Sequence, residues 1–203
     1  DKALQSLHLS PKQTNKKRKK MKLIKLGLAS LVVSSALFAG NYNIDNSHTN
    51  VGFTVKHMMI TNVSGNFNEF TGNFEYDEKT NTLKSLNGEI AVSSINTANE
   101  KRDAHLKADD IFDAEKFPKI TFKSTKIEND AIYGDFTMKG VTKNIKLDLD
   151  NGGIMGDKAG FALSGKIKRS DFGITWNKVL ETGGVAVSDE VKLVIDVQGK
   201  LAK

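Results

Sequence analysis

From Val51 onward, the apolar residues of this chain recur at every second position rather than every third or fourth. Val51, Phe53 and Val55 alternate with Gly52, Thr54 and Lys56, and Phe70, Gly72, Phe74 and Tyr76 alternate with Thr71, Asn73 and Glu75. Successive side chains of a strand point to opposite faces, so this period predicts strands that are apolar on one face. The pattern returns around 86–92, 120–122, 132–138, 145–149, 161–167 and 191–197, which makes eight runs. Asn129-Asp130, Lys139-Gly140, Asn151-Gly152-Gly153 and Gly156-Asp157 fall between neighbouring runs. Such residues tolerate the positive φ of tight turns, so the connections are expected to be hairpins and the strands antiparallel.

Eight antiparallel strands can form a sandwich or a barrel. Phe67 is out of phase with Phe70, Phe74 and Tyr76, which predicts a bulge or bend near Asn68 and Glu69 in a long, curved second strand. Curvature of that kind favours closure, and closure removes exposed strand edges. The expected fold is therefore all-β, an eight-stranded antiparallel barrel, with one exception to the pattern. Residues 99–108 carry an Asn cap followed by good helix formers and predict a short helix covering one mouth, followed by a loop through Phe112 and Phe117-Pro118.

The ends of the chain differ from its body. Residues 21–39 open with Met21, carry Lys22 and Lys25, run through an apolar stretch and reach small residues at Ala36 and Ala39. This is the pattern of a secretory signal peptide, too short for a stable membrane anchor. No Cys follows it, so lipid modification of the bacterial lipoprotein type is excluded. Residues 1–20 are read as a disordered upstream extension, which leaves 40–203 as one domain. The formal charge of +6 comprises +6 from residues 1–20 and +2 from 21–39, so the domain carries 6 − 6 − 2 = −2. A nucleic-acid partner is not expected of such a surface.

The inward set is apolar and free of charge, and it includes Gly72, Gly88, Gly134 and Gly165 in mid-strand. These glycines either let the strands coil or leave room for a ligand. Any ligand held inside must have an apolar body. Other motifs carry little. Gly160 to Ile167 fits the first positions of a phosphate-binding loop, but Ile167 stands where Ser or Thr is needed and the segment alternates like a strand. The Asp148-Leu149-Asp150 start of a calcium loop lacks its closing Glu, and no paired histidine spacing suggests zinc. Neither a metal, a cofactor nor a catalytic set is expected.

The ordered blocks Asp45 to His48, Val51 to His57, Arg102 to Leu106, Phe117 to Ser124, Gly134 to Lys143 and Arg169 to Gly173 resemble the YceI-like family, the lipocalin-like polyisoprenoid-binding proteins of bacteria. The resemblance implies an extended lipocalin-like barrel, export to the periplasm or beyond, a homodimer, and a pocket for an isoprenoid or fatty-acid-like chain. It also implies a lining of Phe53, Phe67, Phe70, Phe74, Ile90, Phe122, Phe136, Met138, Phe161 and Leu163, closed by Ile174 and Trp176. His48, His57, Arg102 and His105 are the candidates for a polar mouth. Two alternatives stand beside a lipid carrier: a metal-assisted hydrolase using His48, His57 and His105, and a stress-related interaction scaffold.

Overall fold

The computed structural model describes residues 39–181 and 184–203. The upstream extension and, but for Ala39, the signal peptide lie outside the described residues. Eleven strand segments make eight barrel strands, because three of the strands are broken by a bend. β1 (Ala39–Ile44) and β2 (Asn50–His57) are halves of the first strand, joined through a 3-10 turn at Asn46–His48. β3 (Thr61–Phe67) and β4 (Phe70–Asp77) are halves of the second, broken at Asn68 and Glu69 as the phase slip of Phe67 predicts. β5 (Thr82–Ala91) continues through a 3-10 turn into the short β6 (Ile95–Asn96). β7 (Lys119–Glu128), β8 (Ala131–Met138), β9 (Val141–Met155), β10 (Lys158–Lys168) and β11 (Val187–Leu201) complete the set.

Each strand pairs antiparallel with the next, and β11 closes the cylinder. Its first half pairs with β2, with Ile195 opposite Val51 and Leu193 opposite Phe53, and its last residues pair with β1, with Gly199 opposite Ile44. The result is an all-β, eight-stranded up-and-down barrel with one short helix and no free edge along that seam.

Two features differ from the sequence reading. Asn151-Gly152-Gly153 does not reverse the chain; it lies within the 15-residue β9, where Gly153 has φ +94° and the pairing with β10 slips at Gly160/Phe161. A glycine run signals positive φ, and here positive φ makes a bulge, while the reversal falls at Gly156 (φ +59°). The helix, α1 (Glu100–Leu106), is shorter than expected; Asn99 caps it by accepting from the Arg102 N–H at 3.0 Å.

The turn between β2 and β3 is built against local preference. Met58 (φ 49°) and Met59 (φ 62°) hold its two central positions, closed by the Ile60 N–H donating to the His57 carbonyl at 3.1 Å. A left-handed backbone costs an ordinary L-residue on the order of 1 kcal/mol, and Asn-Gly is the pair such a turn favours. All three tip residues are exposed, Ile60 at 82%, so packing gives little back. Joint Met58→Asn and Met59→Gly substitution should stabilise the fold by about 1–2 kcal/mol, read as a rise of roughly 2–8 °C in thermal melting. An unchanged or lower melting temperature would refute the strain.

Candidate ligand cavity

The barrel is filled at one end and hollow at the other. At the end holding β1 and the last residues of β11, Tyr42 stacks on Phe74 with ring centroids 5.2 Å apart, and Phe161 meets Phe74 edge-on at 5.1 Å. Tyr42, Phe74 and Tyr76 are wholly buried, and Leu83, Leu86, Ile132 and Leu149 pack around them. Phe74 and Phe161, expected in the lining, therefore belong to this plug. Alternation places a side chain inward but does not assign its depth, and these two meet other aromatic rings at their level rather than open space.

At the other end, a cavity of about 290 Å³ is walled almost wholly by aliphatic and aromatic side chains. Phe53, Phe67, Ile90, Phe136, Met138, Ile174 and Trp176 are all in its walls. Phe70, Phe122 and Leu163 instead face a smaller cavity of about 70 Å³ between the hollow end and the plug. The sequence reading passed over Val63, Leu106, Phe112, Ile120 and Leu193 as lining residues. Leu193 was legible from the period-two pattern, whereas Leu106 and Phe112 lie on and after α1, where only the placement of the helix brings them in.

Three of the four polar candidates reach this cavity: His57 at the end of β2, and Arg102 and His105 on α1. Arg102 is engaged as an anchor. Its Nε donates to Thr97 Oγ1 and its Nη2 to the Thr97 carbonyl, both at 2.7 Å, while Asp103 accepts from the Thr97 N–H at 2.9 Å. The pair pins the helix to buried Thr97. His105 stands against Asp110, Nε2 to Oδ2 3.1 Å, and edge-on to Trp176 with ring centroids 5.0 Å apart, so the helix meets the segment after β10 at the mouth.

His48 is elsewhere. It sits exposed beside the β1–β2 bend with Nδ1 2.8 Å from Asp45 Oδ2, and this contact, together with the Ser47 N–H, holds the Asp45 carboxyl below its ordinary range. The hydrolase alternative needed three histidines to converge, and His48 does not join the other two at the cavity. No group of three or more His, Asp or Glu is disposed to hold a metal ion among the described residues. Nor is any described helix long and apolar enough to cross a membrane.

The mouth has one further device. After β10 the chain runs through a 3-10 turn (Arg169–Phe172) into an irregular strap that bears Ile174 and Trp176. Arg169, 9% exposed, donates from Nη1 to the carbonyls of Ile174 (3.0 Å) and Trp176 (2.7 Å), and from Nε to the carbonyl of Ser188 (3.0 Å). Burial lowers its pKa, opposed by nearby Asp189, yet a guanidinium remains charged. Asp189 in turn accepts from the Ser170 hydroxyl at 2.7 Å and N–H at 3.0 Å, which hold its carboxyl below the usual range. The Arg169 side chain thus ties the strap that bears Ile174 and Trp176 to the barrel rim. It was not among the sequence candidates, because nothing in a lone Arg after an alternating run reveals which carbonyls it will meet.

An eight-stranded up-and-down barrel, plugged at one end and hollow at the other, defines a lipocalin-like protein. The chain belongs to the YceI-like domain family, whose model matches residues 42–199. A UPF0312 protein of Staphylococcus aureus is 35% identical over 158 residues, spanning 75% of this chain and 92% of its own length. The crystal structure of a Campylobacter jejuni YCEI protein is similar with a TM-score of 0.65 at 37% identity, over 73% of this chain and 90% of that one. In fold alone the barrel is also similar to a polyisoprenoid binding domain from Saccharophagus degradans, with a TM-score of 0.62 at 14% identity over 79% of this chain and 98% of that one.

Proposed function

We propose that this protein holds a long-chain apolar or amphiphilic molecule, an isoprenoid or a fatty-acid-like lipid, for carriage or storage. The observation that carries this reading is the cavity: about 290 Å³ of space with apolar walls, open at an end where His57, Arg102 and His105 gather. Burying a hydrocarbon chain there gains about 0.8 kcal/mol per methylene, while a headgroup finds its polar contacts only at the mouth. The polyisoprenoid binding domain from Saccharophagus degradans, with the same fold, supports the ligand class. Export to the periplasm or beyond is part of the reading and rests on the pattern of residues 21–39. A homodimer is expected from the family resemblance.

The test is mass spectrometry of the organic-solvent extract of the purified protein. A single class of long-chain apolar molecule in near-equimolar amount is the expected result. Protein that yields no lipid, and that takes up neither added fatty acids nor added isoprenoids, would overturn the reading and leave the barrel a scaffold.

A further inference from the structure

Three of the four inward mid-strand glycines have a packing reason to be glycine. A methyl on Gly72 would run into the Asn87 carbonyl and Ile44, one on Gly134 into the Phe122 ring, and one on Gly165 into Leu147. Gly88, in β5, is different: nothing lies within 4 Å of the point where its Cβ would stand. Glycine is unfavourable inside a strand, and at Gly88 no neighbour demands it.

The space in front of Gly88 is the smaller cavity of about 70 Å³. Val51, Ile90, Phe136, Leu193 and Ile195 wall both this chamber and the larger one, so only a layer of side chains stands between them. Apart from Thr49, Thr71 and Glu89, every residue around the small chamber is apolar or glycine. On its far side the buried Tyr42, Phe74 and Phe161 end the open path. A chain entering from the mouth therefore meets apolar walls on both sides of that layer, reaches Gly88 where the shared side chains part, and finds a solid aromatic floor beyond it.

We infer that the chamber at Gly88 is the tail subsite of the barrel. The terminal segment of a hydrocarbon chain passes between Phe136 and Leu193 and ends against Gly88, which sets the longest chain the protein accepts. This rests on the larger cavity being a lipid site. Glycine at this position is then a specificity-determining residue, retained for the room that it leaves.

The experiment is isothermal titration of the full chain with a homologous series of straight-chain fatty acids, comparing the wild type with Gly88→Leu and Gly88→Ala. Each methylene displaced from apolar space costs roughly fourfold in affinity, so Gly88→Leu, which excludes two or three, should weaken the longest acids roughly 15- to 60-fold and leave the shortest binders unchanged. Gly88→Ala adds one methyl that meets no neighbour, so it is expected to fold, and it should lower the affinity for the longest acids about fourfold or less. Equal losses at every chain length, or none at any, would overturn the tail subsite while leaving the lipid site standing. A wild type that binds no member of this series, nor of a matching series of isoprenoid alcohols, would overturn both.

Discussion

Replacing Phe74 by alanine should cost the fold about 3–5 kcal/mol, whereas replacing Phe53 by alanine should cost on the order of 1–2 kcal/mol. Both are inward phenylalanines on barrel strands, and both read identically in the sequence. Their surroundings separate them. The Phe74 ring is wholly buried, stacked on Tyr42 and met edge-on by Phe161, so truncation removes contacts on every side and leaves a cavity that rigid strands cannot close. The Phe53 ring borders the 290 Å³ cavity and touches Phe67 at a centroid distance of 5.8 Å, so part of its surface has no packing to lose. Urea unfolding of the two variants gives the comparison directly. Equal losses would mean that the hollow end is packed as tightly as the plug, and the division of the barrel into a stabilising half and a binding half would fall.

That division marks the limit of what alternation reveals. The eight runs, their antiparallel order and the bend at Asn68 and Glu69 were legible because a period of two and a phase slip are properties of the local chain. β1 was missed, since Ala39–Ile44 offers only Tyr42 as a buried apolar side chain and too little alternation to register. Which inward residues line space and which fill it depends on strand tilt and stagger, since these decide which side chains share a layer. Phe161 and Phe53 could not be sorted before the layers were known. The polar candidates show the same limit. Arg102 and His105 arrive at the mouth because α1 folds back over it, and His57 because β2 ends there, while His48, in an equally suggestive block, caps a bend on the flank with Asp45.

Arg169→Ala is expected to cost about 3 kcal/mol or more and to loosen the mouth. Four carbonyls, those of Ile174, Trp176, Val187 and Ser188, would lose a charged donor, Val187 alone keeping the Asn177 amide as a second one, and each buried polar group left unsatisfied costs about 1–3 kcal/mol. The strap has an alternative to carrying that cost, which is to leave the rim and take its carbonyls to water. Trp176, the only tryptophan of the chain, would then move from the His105 ring into solvent. The variant should therefore show a red-shifted tryptophan emission and faster amide exchange around 174–176, together with a lower unfolding free energy. Arg169→Lys keeps the charge but not the planar fork that reaches carbonyls in several directions, so it should recover only part of the loss. Because Ile174 and Trp176 are walls of the cavity, the same variant should release a bound fatty acid faster, with little change in the rate of uptake. Unchanged emission, with the loss confined to global stability, would mean that Arg169 holds the barrel rim and has no part in closing the cavity.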